Sequence, residues 1–265
     1  RCTRQWYLTR KVGISSPKSI GQVLGVVIED ALCNVMMNRP GPMESIDELR
    51  EWAYALADEE AQQAWDIGQE TWNNSLWKRE DSDWSTVDVD DFRKKLYNGL
   101  ELFLEEIQRC HDANGGPYLE QFRTGVEPYT IPTPKIGAEP HFPVPEKVRS
   151  LHARDWSSNH SFEWMEPQSP IQWNEAWEVA RPWFKDPRVH QPQRMFHPDG
   201  WAAGELDLVL RWDGEIRLID IKSGHSGGRF AESLQHQLRF YAWLWERTHD
   251  QEPVKNMEGW YLSSR

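Results

Sequence analysis

The residues best suited to chemistry lie in the run Gly204-Glu205-Leu206-Asp207-Leu208-Val209-Leu210-Arg211-Trp212-Asp213-Gly214-Glu215-Ile216-Arg217-Leu218-Ile219-Asp220-Ile221-Lys222-Ser223-Gly224. Asp213-Gly214 between two apolar-rich stretches predicts a β-hairpin with a two-residue type I′ turn. If Trp212 faces Glu215, Asp207 falls opposite Asp220 and Glu205 opposite Lys222. Side chains alternate along a strand, so these four share one face. Counting from the turn makes Asp207/Asp220 a non-hydrogen-bonded pair, the kind whose Cα atoms approach to about 4.5 Å.

Two carboxylates held that close repel and destabilise the sheet. A divalent cation between them removes the conflict, and an all-oxygen donor set suits Mg2+ or Mn2+. Lys222, one step further along the same face, is placed to orient a water or to stabilise charge developing on a phosphate. The other reading of the same residues is an exposed sheet edge with a Glu205/Lys222 ion pair and solvated aspartates.

Several elements must position this hairpin. Residues 19–38 carry Ile20, Val23, Leu24, Val27, Ile28, Ala31, Leu32 and Val35 at helical spacing, which predicts a helix buried on one face. From Ser45 to Phe122 the pattern remains helical, with one stripe through Ile46, Leu49, Trp52, Ala53 and Leu56. A second stripe runs through Phe92, Leu96, Leu100, Phe103, Leu104 and Ile107 and stops at Asn114-Gly115-Gly116-Pro117. Eight prolines between 128 and 170 deny any long regular element there. A short helix is expected at 172–181 and strands from about 189. Phe230 to Trp245 reads as a helix that packs Leu234, Leu238, Ala242 and Trp245. The expected organisation is an N-terminal part of the core (1–42), an acidic helical insertion (43–127), a proline-rich wrapping region with a short helix (128–188), and the C-terminal core (189–265).

Composition narrows the function classes. The chain has 265 residues, 38% hydrophobic and 27% charged, enough to bury the core of one α/β domain with an insertion. Uninterrupted apolar runs are only a few residues long, so a membrane role is not expected and the expected location is cytoplasmic. Net charge is −12, and residues 43–127 account for it with 21 acidic against 8 basic side chains. Such a balance argues against coating nucleic acid through a broad basic surface but leaves a local groove open. The acidic segment is a candidate for docking a basic protein partner, although an acidic run is more often a solvated face. Three cysteines form no CxxC pair. Most of the sixteen tryptophans are expected in the core. Trp6, beside Arg4 and Arg10, is the best placed to stack on a nucleic-acid strand.

Gly-x-x-Asp at Gly204–Asp207, Asp-x-Lys at Asp220–Lys222, Ser223-Gly224 after the lysine, and Gln-x-x-x-Tyr at Gln237–Tyr241 together resemble the PD-(D/E)XK nuclease superfamily. The order and spacing are similar to its RecB-like branch, which includes the AddB-type and CRISPR-associated adaptation nucleases. The resemblance implies a restriction-endonuclease-like mixed sheet flanked by helices, here with an acidic helical insertion. It implies a metal held by Asp207, Asp220 and the Ile221 carbonyl, with Lys222 positioning the attacking water. Gln237 and Tyr241 would contact nucleic acid beside the site, with Ser223, Arg4 and Trp6 as further candidates. The implied activity is metal-dependent hydrolysis of DNA, as an exonuclease on single strands or duplex ends, in DNA processing, repair or defence. RNA as substrate is a weaker possibility.

One departure bears on activity. RecB-like nucleases open with a helix reading Gly-x-x-x-His-x-x-x-Glu, whereas this chain has Gly21, Gly25 and Glu29 at those positions. Three explanations stand open: one ligand fewer, replacement by Glu29 or by a distant His190 or His197, or a weakened nuclease kept as a DNA-binding or scaffolding subunit. Cys2 followed by Trp6 and Tyr7 is similar to the opening of iron–sulfur members. Those members add three cysteines after the Gln-x-x-x-Tyr helix, none follows Tyr241, and a cluster needs four ligands. Either the chain ends before those cysteines or Cys2 is an ordinary buried thiol, and the reading favours the thiol over an iron–sulfur cluster.

Overall fold

A computed structural model describes residues 17–80, 83–124, 169–184, 194–196, 202–224, 229–249 and 252–264. Helix α1 spans Ile20–Met37 and starts on a capping box, with Ser19 Oγ accepting from the Gln22 N–H at 3.3 Å and Gln22 Oε1 accepting from the Ser19 N–H at 3.0 Å. By length and composition α1 is apolar enough to cross a membrane, which counting uninterrupted runs had missed because single polar residues divide them. Here the helix is part of the main core, with Val27, Ile28, Leu32 and Val35 all buried.

Helix α2 (Ile46–Asn73) presents Ala53, Ala57, Ala61, Ala64 and Gly68 along one buried face. Small residues at that spacing let a neighbouring backbone approach closely, and α1 packs there. Helix α3 (Val89–Asp112) buries Phe92, Leu96, Leu100, Phe103, Leu104 and Ile107, the whole anticipated stripe. It ends where Asn114, Gly115 and Gly116 all take positive φ, the left-handed exit that glycine tolerates best. A short α4 (Leu119–Arg123) and α5 (Trp173–Ala180) follow. Arg123 ties them together, donating to both carboxylate oxygens of Glu175 at 2.9 Å.

The strands are β1 (Trp183–Phe184), β2 (Arg194–Phe196), β3 (Ala203–Glu205), β4 (Leu208–Leu210), β5 (Ile216–Lys222) and β6 (Val254–Tyr261), with α6 (Arg229–Thr248) before the last. The main sheet has the order β1-β4-β5-β6, antiparallel except for the parallel pair β5/β6. It is a mixed sheet flanked by helices, as a restriction-endonuclease-like fold requires. Both faces are covered. Leu208, Leu210 and Ile219 join the core made by α1, α2, α3 and α5, while Val209, Ile216 and Leu218 pack under Leu244 and Trp245 of α6.

Two local expectations need correction. The strand anticipated from Gly204 through Leu210 is broken at Leu206-Asp207, and β3 turns away to pair with β2 in a separate two-stranded sheet. At the break, the Asp207 side chain accepts the Ile221 N–H at 2.8 Å, so a side-chain oxygen takes the place of a ladder carbonyl. The turn is also not type I′, which needs positive φ at both central residues. Only Gly214 has it, and its N–H donates to the Arg211 carbonyl at 2.8 Å. The turn lies against the Gly116-Pro117 segment: a β-carbon on Gly116 would lie 2.7 Å from the Trp212 carbonyl, and one on Gly214 would lie 3.5 Å from Pro117.

Candidate active site

Over Leu208–Leu210 the hairpin register is the one read from the sequence, but Glu205 pairs with Arg194 rather than facing Lys222. Leu208 pairs with Ile219, Val209 with Leu218 and Leu210 with Arg217, so the next step along each strand brings Asp207 to Asp220. Their shared face is the one under α6, and the hydrophobic packing of Val209 and Leu218 gives way to the two acids at its end. Asp220 is 2% exposed and Asp207 is half-buried.

Burial is the largest influence on both carboxyls, and it disfavours their charged forms. In Asp207 the charge of Asp220 adds to that effect, with a smaller push from Glu205, and the carboxyl is pushed up to about 7 despite the Ile221 N–H and the Lys222 ammonium. Asp220 is raised as well, with Lys222 opposing. Lys222 Nζ pairs with Asp220 Oδ2. Two opposed acids whose charged forms burial disfavours, one of them further raised by the charge of the other, are the situation in which a hard divalent cation replaces protons. The donor set therefore fits Mg2+ or Mn2+.

Helix α6 contributes the next layer. Gln237 Nε2 donates to Asp220 Oδ1 at 2.9 Å and to the Tyr241 hydroxyl at 3.0 Å. These two residues, expected to face nucleic acid, also form a chain of hydrogen bonds ending on a site carboxylate. Gly204 makes the arrangement possible, because a β-carbon there would sit 2.9 Å from Tyr241 Cε1 and 3.1 Å from Leu244 Cδ2. The sequence had offered no physical reason for that glycine. The signal was its position three residues before Asp207, on the strand that α6 must cross.

The strand beyond Lys222 is anchored from the C-terminal side. The Leu262 N–H donates to the Lys222 carbonyl at 2.9 Å and Ser263 Oγ donates to the Ser223 carbonyl at 2.7 Å. Asn98 of α3 donates to the Leu262 carbonyl at 2.6 Å. Gly25 of α1 faces the same strand end, where a β-carbon would lie 3.6 Å from Ser223 Oγ. Gly25, at the position where the resemblance implies a histidine, thus faces the end of β5, with room for a side chain.

Glu29 is half-buried one turn further along α1. Among the described residues no group of three or more histidine, cysteine, aspartate or glutamate side chains converges, so Glu29 does not join Asp207 and Asp220 in a trio. Cys2, Arg4, Trp6, His190 and His197 lie outside the described residues.

A second buried group, which sequence reading missed, sits on the opposite face of the hairpin. Arg217 donates from Nη1 and Nη2 to the two carboxylate oxygens of Glu106 on α3, at 2.9 and 2.7 Å, and Trp212 Nε1 donates to Glu106 Oε2 at 3.1 Å. It fixes β5 to the acidic helices three residues before Asp220. Only the tertiary fold brings Glu106 and Arg217 together, so no local spacing announces the pair.

Residues 145–265 match the family model of the PD-(D/E)XK nuclease superfamily. The matched stretch contains the opposed aspartates, Lys222 and the Gln237/Tyr241 helix. No curated protein and no solved structure matches the chain.

Proposed function

We propose that this protein is a divalent-metal-dependent deoxyribonuclease of the RecB-like kind, acting as an exonuclease on single strands or duplex ends. The observation that supports the reading is the buried opposition of Asp207 and Asp220, both carboxyls raised, with Lys222 against one of them. Asp207, Asp220 and the Ile221 carbonyl would hold Mg2+ or Mn2+. Such an ion, when bound, supplies positive charge for a phosphate oxygen and acidity for a water.

The chain's own residues do the rest. The Ile221 N–H fixes Asp207 through one oxygen, and Gln237 fixes Asp220 through Oδ1, so both carboxylates are held before substrate arrives. Lys222, which pairs with Asp220, is placed to orient the attacking water and to stabilise negative charge developing on the phosphate. Tyr241 keeps Gln237 from turning away. Cytoplasmic location and a basic protein partner for the exposed acids of α2 belong to the same proposal. An iron–sulfur cluster does not.

Gly25 favours one second reading, a catalytically weak nuclease fold kept for binding DNA or for scaffolding. Purified protein with Mn2+ and end-labelled DNA separates the two. Under the primary reading the label is released, and Asp220→Ala and Lys222→Ala each abolish release while the chain stays folded. Equal release by the parent and both variants would mean a contaminating activity.

A further inference from the structure

Beyond the acid pair, the described surface carries one conspicuous aromatic group. Trp77 is 68% exposed and Leu76 94% exposed, just past the C-terminus of α2. Adjacent exposed apolar side chains form a patch of the kind that marks an interaction site more often than a single exposed residue does. The segment is nonetheless fixed, because it forms a parallel bridge with the residue that leads into α1: the Lys18 N–H donates to the Trp77 carbonyl at 2.9 Å and the Arg79 N–H donates to the Lys18 carbonyl at 3.0 Å. The bridge brings Lys18, Lys78 and Arg79, all exposed, into the same stretch of backbone as Trp77, and Lys78 Nζ donates to the Asn73 carbonyl at 3.2 Å. Lys78 Nζ lies 5.2 Å from the Trp72 ring centroid. Beside them opens a cavity of about 540 Å³ lined by Lys18, Thr71, Asn74, Ser75, Leu76 and Trp77, with Glu70 at its wall.

From this geometry we infer that Trp77 is a stacking platform for single-stranded DNA, with Lys18, Lys78 and Arg79 supplying the phosphate-binding charge. A flat exposed ring accepts an unpaired base of any identity, and cations at its border neutralise the backbone. Lys18 comes from the basic N-terminal part of the chain, and Lys78 and Arg79 come from the acidic segment, so the bridge brings three cations together beside a cavity whose wall also carries Glu70. Its location agrees with a strand on its way to the aspartates. Lys18 immediately precedes the cap of α1, and Gly25 on that helix faces Ser223, about 9 Å along the axis from Ser19 at 1.5 Å per residue. Gly21 lies between them with open space where its side chain would be.

This inference rests on the nuclease reading for its direction of travel but is tested without cleavage. The protein is titrated, in EDTA, against a fluorescently labelled 15-nucleotide oligothymidylate, with anisotropy as the readout. Trp77→Ala should weaken binding roughly five- to a hundredfold, the range for losing one base–aromatic stack, and Trp77→Phe should restore most of it. Lys18→Gln and Lys78→Gln should each lower the slope of log affinity against log salt by about 0.7. Thermal denaturation of each variant confirms folding, which the exposure of these side chains protects. Parent protein that does not bind the oligonucleotide, or Trp77→Ala within twofold of the parent, overturns the inference. Trp77-dependent binding by a protein that fails to cleave with Mn2+ would keep it and remove the nuclease reading instead.

Discussion

Gln237 Nε2 on α6 meets Asp220 Oδ1 on β5 at 2.9 Å, so the helix residue orients a carboxylate before any phosphate can reach it. Such supporting hydrogen bonds typically contribute 10- to 100-fold to metal affinity or activity. Gln237→Ala should therefore weaken Mn2+ binding by about 10- to 100-fold with little change in melting temperature. A direct nucleic-acid contact alone would instead weaken DNA binding and leave the metal isotherm unchanged, which a calorimetric titration distinguishes.

Gly204 and Tyr241 are a packing pair. A β-carbon at Gly204 needs about 3.4 Å or more and would find the Tyr241 ring at 2.9 Å, so Gly204→Ala should cost about 1–3 kcal/mol in urea unfolding. Combining it with Tyr241→Ala should cost less than the sum of the two single changes. Strict additivity would contradict the contact.

Glu106 provides a pH test remote from the acids of the site. Burial pushes its carboxyl up, but hydrogen bonds and charge from Arg217, helped by Trp212 and Arg109, outweigh that and leave it below the usual carboxylate range. A carboxyl lowered by folding contributes stability above its unfolded value, about 4.3 for glutamate, and loses it as pH falls through the folded value. Stability should decline on acidification below about pH 4.3, and Glu106→Gln should flatten that part of the profile. Glu106→Ala, which strands the Arg217 charge in the core, should cost about 3–5 kcal/mol.

Much of this arrangement was legible beforehand, and the reason is periodicity. Opposed strands with a Asp-Gly turn set a register in which only one residue can face Asp220, and that register survives even though the turn itself is of another type. Helices α1, α3, α5 and α6 lie within a few residues of where their apolar spacing put them. What could not be read was anything that depends on two distant segments meeting. The side chain of Asp207 ends its own strand by capturing the Ile221 N–H, Gly204 makes space for a ring 37 positions away, and Glu106 finds Arg217 across the core. Gln237 was recognised as part of the site, but its spacing with Tyr241 did not reveal that it would hold Asp220.

Gly25 tests how complete the site is. Its β-carbon would make only ordinary contact with Ser223 Oγ, at 3.6 Å, so Gly25→Ala should be tolerated and should stabilise α1 by up to about 1 kcal/mol. Gly25→His places an imidazole toward the strand end that carries the aspartates. It should tighten Mn2+ binding if the parent site is one ligand short. Unchanged affinity in a folded variant would show that this helix position does not reach the cation.

The central claim is that Asp207 and Asp220 oppose each other in order to hold a divalent cation, and calorimetric titration of the parent protein with Mn2+ tests it most directly. One ion per chain should bind, with proton release, and Asp207→Asn and Asp220→Asn should each abolish the isotherm while the protein remains folded. No binding by the parent, or binding undiminished in both variants, would contradict it.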